Sequence, residues 1–337
     1  MKKIWILAIA VLMLGLAACS SSEVKENEGA SKNIIINLGI QQTLSPLWVA
    51  KEKGWLEEAF KEEGVEIKWT EFQSGPPQFE GIAAGKLDIT EVGNTPPLSA
   101  QAAGIDFKEV ALLSAGQTSN ALLLPEGSTI TSVKDLVGKK VAVAKGSSAF
   151  GLLYAAFKQE GVDPSKVEVI QLQPDEAQPS FENGSVDVWA TWEPFVSYQT
   201  VNNNATPLVK GKDVNTYGSM FTIARTAFTE EHPELLEVYL KVYLKATQWV
   251  QDNPAEAVQF YADLKEIDPL VVEEVLKNAP YEVQIVNEKV ISSQQNAADL
   301  FVEQKVFTNK IDVTEVVENK FIENVLKGAN ITEKKPT

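Results

Sequence analysis

Hydroxyls, side-chain amides and backbone N–H groups at strand ends are the groups of this sequence best placed to do chemistry, and that chemistry is the holding of a small anion. Twice, a strand-like run breaks into polar residues and then a Pro-Pro pair. Val65–Phe72 leads into Gln73, Ser74, Gly75, Pro76 and Pro77, and Leu87–Val92 leads into Asn94, Thr95, Pro96 and Pro97. Ser and Thr are good helix N-caps, and proline suits the first turn because the amide it lacks would be unpaired there. Each loop therefore predicts a strand running into a helix start. Helix starts at the carboxyl ends of neighbouring parallel strands turn N–H groups and positive dipole ends toward one crevice. Ordinary helix initiation accounts for one such loop; the repetition points to a shared site.

Other strand-end loops add candidates of the same kind. Gln42 and Ser45 precede Pro46, Gln117 lies between two strand-like runs, and Gly146-Ser147-Ser148 opens a helix. Tyr217 stands beside Gly218 near a return of the chain. Charge-assisted bonds from such groups contribute on the order of 1 kcal/mol or somewhat more each. Trp192 is either a wall for an alkyl or aryl portion of a ligand or a packing residue of its own unit. Glu193 is odd beside an anion. It either faces away as a cap for the helix at Pro194 or receives a cationic group on the ligand.

Counting excludes most catalytic chemistry. His232 is the only histidine and Cys19 the only cysteine, so neither a Cys/His zinc site nor a Cys–His dyad can be built. No Walker loop or GxGxxG is present, and the carboxylates show no spacing that marks an acid/base pair. We expect no enzyme, no cofactor and no metal. Arg225 is the only arginine among 30 basic residues. Its guanidinium fork suits a sulfonate, phosphate or carboxylate, but a structural ion pair is an equal reading.

The elements that must position these groups alternate. Strand and helix patterns follow one another from Asn33, which predicts an α/β fold with mostly parallel sheets. A second α/β unit starts near Ala121, and Thr216–Arg225 is read as an extended crossing back to the first. Helices then run nearly to the end, with Thr229 as a cap and Pro254 and Pro269 as breaks. The expected organisation is a first lobe from 33–120 and 222–330 and a second lobe from 121–221, joined by two crossings that act as hinges.

Residues 1–18 read as a secretory signal: Lys2 and Lys3, a short apolar core, then small residues before Cys19. The cysteine resembles the end of a bacterial lipobox, which implies a lipid anchor at Cys19 on the outer face of the cytoplasmic membrane. Residues 19–32 read as a polar tether. Removing residues 1–18 takes away two lysines and no acid, which leaves 28 basic against 46 acidic residues and a net charge of −18. That balance argues against nucleic acid and against electrostatic adhesion to anionic lipid.

Together these segments resemble the substrate-binding proteins of ABC uptake systems for aliphatic sulfonates and taurine, relatives of binders of nitrate and thiamine precursors. The residues that carry the resemblance are Glu71–Pro76, Gly93–Pro97, Gln101–Gly104, Lys145–Ser148, Asn183–Trp189 and the stretch from Ala224-Arg225 to Glu234. Trp192-Glu193-Pro194 stands at the family's Trp-Asp-Pro, one methylene longer, which leaves open whether that carboxylate meets the ligand. The resemblance implies a type II periplasmic-binding-protein fold, a monomer that captures an alkanesulfonate or taurine between two lobes, and delivery to a permease and its ATPase. On this reading Ser74, Gly75, Asn94, Thr95 and Ser147 hold the head group, while Gly146–Ser148 and Trp192-Glu193 close from the second lobe. Nitrate, bicarbonate or a thiamine precursor in the same cleft is the alternative, as is a sensor lipoprotein that delivers nothing. Pyrimidine synthases on this fold consume an active-site histidine and carry a cysteine-rich segment, and His232 and Cys19 meet neither requirement.

Overall fold

The computed structural model describes residues 34–329; the expected signal, the tether and Cys19 lie outside them. Strands β1 (Ile34–Gln41), β2 (Val65–Phe72), β3 (Ile89–Gly93) and β4 (Phe107–Ser114) alternate with α1 (Pro46–Glu52), α2 (Trp55–Glu62), α3 (Gly75–Ala83) and α4 (Thr95–Ala102). A second run follows: β5 (Asn120–Leu124), β6 (Lys140–Val143), α5 (Ser148–Glu160), β7 (Glu168–Gln171), α6 (Pro174–Glu182), β8 (Val188–Trp192), α7 (Phe195–Asn202) and β9 (Thr206–Lys210). After β10 (Met220–Arg225) the chain is helical: α8 (Thr226–Glu231), α9 (Pro233–Asp252), α10 (Pro254–Lys265), α11 (Pro269–Asn278), α12 (Glu288–Glu303) and α13 (Lys320–Gly328).

Two five-stranded sheets result, ordered β2-β1-β3-β10-β4 and β7-β6-β8-β5-β9. In each, four strands run the same way, as the alternation had suggested, and one is reversed. β10 runs antiparallel to β3 and β4, and β5 runs antiparallel to β8 and β9. The reason lies in how the chain changes sheet. It leaves β4 at Ser114 and begins β5 at Asn120, which pairs with Trp192 at the end of β8. It comes back to begin β10 at Met220, opposite the last residue of β3. Strands entered from the gap between the sheets start where their neighbours finish, so they must be antiparallel.

Burial at helical spacing packs the helices. In α9, Leu235, Leu236, Tyr239, Leu240, Tyr243 and Thr247 are all buried and form one stripe against the first sheet. α1, α9, α10 and α11 each begin with proline, the residue whose missing amide costs nothing there. Thr229 is not a cap. It lies inside α8 and donates its hydroxyl to the Thr226 carbonyl at 2.7 Å, and the break falls at His232 because Pro233 must start a new helix.

α12 departs most from the sequence reading, which placed all of 222–330 with the first sheet. Val290 packs with Leu112 and Phe221 of the first sheet and Phe79 of α3. Ala298 and Phe301 belong instead to the core of the second sheet with Leu153 and Phe157 of α5. One helix thus serves two cores. Among the described residues no helix is long and apolar enough to cross a membrane.

Candidate ligand-binding site

The gap between the sheets holds a narrow cleft. Gln41, Thr43 and Leu44 line it from the end of β1, and Gly75, Gly93 and Pro96 from the starts of α3 and α4. Ser119, Asn120 and Gly218–Met220 come from the two crossings. Ser147, Ser148, Trp192 and Glu193 face them from the second sheet, and Val275, Ala279 and Tyr281 close one end. Among the described residues no lysine, arginine or histidine lines the cleft. An anion held here would rest on hydroxyls, amides and helix starts alone.

The crossings run side by side. The Gly218 amide donates to the Gly116 carbonyl at 2.7 Å, and a methyl at Gly218 would collide with the Ser119 hydroxyl and the Asn120 amide. The helix starts also meet across the gap. Ser148 packs directly on Gly93, Gly151 on Thr95, and Gly146, held at φ +77°, against Ser99 and Pro76. The sheets stand closed on one another.

The helix starts differ in what they can offer. In α3 the N-cap is Ser74 and the first three residues are Gly75, Pro76 and Pro77, so two of the first three amides do not exist. In α4 Asn94 is the N-cap and Thr95 the first helical residue, again followed by two prolines. Thr95 is therefore not the cap its position suggested. Each of these termini keeps one early N–H. α5 has no proline in its first turn; Ser147 caps it by accepting from the Phe150 amide at 3.3 Å, and the amides of Ser148 and Ala149 have no intrahelical acceptor. α5 is the richer terminus for an anion.

Trp192 is half-buried, stands edge-on to Phe195 with ring centroids 6.0 Å apart, and lines the cleft as well as packing on its own sheet. Glu193 is 4% exposed and its carboxylate is already engaged. It accepts from the Ser197 amide at 3.0 Å, the Ser197 hydroxyl at 2.9 Å and the Asn278 amide at 3.0 Å. It therefore caps α7 and ties it to α11. Burial pushes its pKa up to about 7, against the pull of those donors and of Lys210.

Of the residues expected at a site, Gly75, Ser147, Ser148, Trp192 and Glu193 line the cleft. The others lie off its surface. Ser45 is fully buried, donating to the Glu91 carboxylate. Ser74 donates to the side-chain Oε1 of Gln173 at 2.9 Å, which links the two sheets' helices. Gln73, Asn94 and Thr95 each hold a buried oxygen with no hydrogen-bond partner. Gln42 is half-buried beside lining Gln41, Gln117 offers its carbonyl to the Lys212 amide, and the Tyr217 ring lies under Lys289, whose Nζ is 5.2 Å from its centre. Gly146 supports the α5 start without lining the cleft.

Arg225 takes the structural role. Its Nη2 and Nε donate to Asp88 at 2.7 and 3.2 Å, and Asp88 also accepts from the backbone and side-chain amides of Asn37. His232 is the junction of α8 and α9, with Glu234 4.0 Å away. Sequence reasoning pointed to the loop from Gln41 to Ser45 but chose Gln42 and Ser45 within it over Gln41 and Thr43, and it missed Asn120, Ser219 and Tyr281. Asn120, between crossing and strand, carried a usable signal; Tyr281, after α11, carried none.

The family described as NMT1/THI5-like matches residues 41–257. A Bacillus subtilis (strain 168) protein named "Putative aliphatic sulfonates-binding protein" is 48% identical over 97% of this chain and 98% of its own. The alkanesulfonate-binding protein SsuA of Xanthomonas axonopodis pv. citri, solved with MOPS bound, superposes with a TM-score of 0.80 at 30% identity, covering 86% of this chain and 100% of that one. The periplasmic aliphatic sulphonate-binding protein SsuA of Escherichia coli superposes with a TM-score of 0.74 at 29% identity, over 85% and 92%.

Proposed function

The chain belongs to the NMT1/THI5-like family, and from that membership together with its cleft we propose that it is the solute-binding protein of an ABC uptake system for aliphatic sulfonates. It works outside the cytoplasmic membrane, carries a lipid on Cys19, and hands its solute to a permease driven by an ATPase. The observation that carries the reading is the cleft itself. It combines an anion-suited helix start at Ser147-Ser148 with apolar wall residues Leu44, Pro96, Trp192, Met220 and Val275, and among the described residues no cation lines it. A sulfonate spreads one charge over three oxygens and needs several weak donors rather than one strong partner, and its carbon chain needs an apolar wall.

In this reading the head group rests on Gly75, Ser147 and Ser148, with Thr43 and Asn120 within the same chamber, and the alkyl chain lies along Trp192. The lobes are 33–120 with most of 222–330, and 121–221, closing about the paired crossings. Glu193 serves the closure, and three donors already occupy its carboxylate, which favours plain alkanesulfonates over taurine.

A thermal-shift screen followed by calorimetry tests this. A ligand at 100 times its dissociation constant adds about 2.7 kcal/mol of stability, so ethane- and butanesulfonate should raise the melting temperature clearly. No heat with any sulfonate, alongside clear binding of nitrate, bicarbonate or a pyrimidine thiamine precursor, would falsify the assignment.

A further inference from the structure

Behind the first-sheet wall of the cleft lies a polar layer that anion holding alone does not explain. Glu91 of β3 is fully buried. Tyr243 donates to one carboxyl oxygen at 2.8 Å and Ser45 donates to the other. Its backbone carbonyl accepts from Gln41 at 2.6 Å and Gln78 at 3.1 Å. The ionisable groups facing it are all tyrosines: Tyr239 and Tyr243 on α9, Tyr261 on α10, and Tyr281 after α11. No cationic side chain pairs with it among the described residues. Burial accordingly lifts its pKa from 4.5 to about 7.

Thr43 stands between this carboxyl and the cleft. It lines the cleft, is 6% exposed, and its hydroxyl makes no well-formed hydrogen bond among the described residues. It lies beside both the Glu91 carboxyl and the Tyr281 hydroxyl. Glu91 already accepts from Ser45 and Tyr243, and the Tyr281 hydroxyl donates to the Met220 sulfur at 3.4 Å, so the cleft is the open side for the Thr43 proton. A threonine hydroxyl has one proton to give. With Glu91 ionised, that proton turns back to the carboxylate and lone pairs face the cleft. With Glu91 protonated, the carboxylic acid has its own proton to donate, and the Thr43 proton is free for an anion.

We propose that Thr43 is a direct donor to the bound anion and that Glu91 is the positioning residue behind it, so that ligand capture retains a proton on Glu91. The proposal rests on the reading of the cleft as a sulfonate site. Affinity is then highest below neutrality and weakens toward the limit of about tenfold per pH unit above it.

The test is calorimetry of the purified protein with butanesulfonate from about pH 6 to pH 9, in buffers of different ionisation enthalpy. The wild type should take up close to one proton per ligand at about pH 8, with a dissociation constant that rises with pH. Glu91→Gln, whose amide donates at every pH, should show no uptake and a flat profile. Thr43→Val should weaken binding at low pH about tenfold and flatten the profile, and Thr43→Ser should restore both. Circular dichroism melts confirm that each variant is folded. Glu193 also titrates near neutrality and lines the cleft, so Glu193→Gln is the control and should keep the slope. A flat wild-type profile, a slope that survives Glu91→Gln, or one abolished only by Glu193→Gln overturns the proposal while leaving sulfonate binding intact. Absence of sulfonate binding at every pH removes the functional reading and this one with it.

Discussion

Replacing Glu109 by Gln should make the protein's stability less sensitive to pH, by an amount the structure supplies. Glu109 is fully buried in β4, and the Gln294 amide nitrogen lies 2.9 Å from each of its carboxyl oxygens. The Gln294 carbonyl oxygen meanwhile has no partner. A protonated Glu109 still accepts from that amide and brings no unpaired charge into the core. Burial raises the pKa from 4.5 to about 7, with the Gln294 bond pulling the other way. The unfolded chain therefore releases this proton near pH 4.5 and the folded chain near pH 7. Between those values the folded state binds more protons, so stability is fully present below 4.5, falls as pH rises, and levels off above 7. At 1.36 kcal/mol per unit the loss is about 3 kcal/mol. Glu109→Gln has no proton to lose. Urea unfolding of both proteins at several pH values from about 4.5 to 7.5 reads the difference directly. Glu91 and Glu193 act in the same sense in both proteins, so they cancel in the comparison. Parallel stability curves for wild type and variant would refute the reasoning.

Three further outcomes follow from the same geometry. Arg225→Met strips Asp88, whose side chain is 5% exposed, of its cation; unfolding should become easier by about 3 kcal/mol, while the alkanesulfonate dissociation constant stays unchanged in calorimetry. Gly151→Ala places a methyl into the Thr95 hydroxyl across the closed interface. Sulfonate affinity should drop about tenfold, and small-angle scattering with ligand present should give a larger radius of gyration than the wild type. Because the Glu193 oxygens already accept from Ser197 and Asn278, Glu193→Gln should alter taurine and ethanesulfonate binding equally. Selective loss of taurine would show that the carboxylate meets the ligand amine.

Local signals made much of the fold legible. The Pro-Pro loops are helix starts at strand ends, and the prolines at 46, 233, 254 and 269 each open a helix. Strand direction was less legible, because β5 and β10 look like their neighbours and only the path between sheets reverses them. At the site, the loops were found but the side chains within them were not reliably sorted. Gln41 lines the cleft and its neighbour Gln42 does not, since alternation along an extended chain turns successive side chains to opposite faces. Ser45 and Ser74 look free in sequence, yet Glu91 and Gln173, distant in the chain, claim their hydroxyls. Arg225 invited a ligand role until Asp88, 137 residues earlier, appeared beside it. Partners that far apart leave no trace in local pattern.

α12 changes the kinematics of the molecule. Gln294 pins it to β4 through Glu109, while Phe301 packs on Phe150 and Tyr154 of α5 at ring distances of 5.8 and 6.0 Å. Two bodies joined by a pair of adjacent strands can swing and also twist about the line of those strands. A rod fastened to both bodies away from that line resists either motion while both fastenings hold. Opening therefore has to loosen the Phe301 stack or the Glu109–Gln294 contact, so the strength of those two attachments, far from the ligand, adds to the cost of opening the cleft.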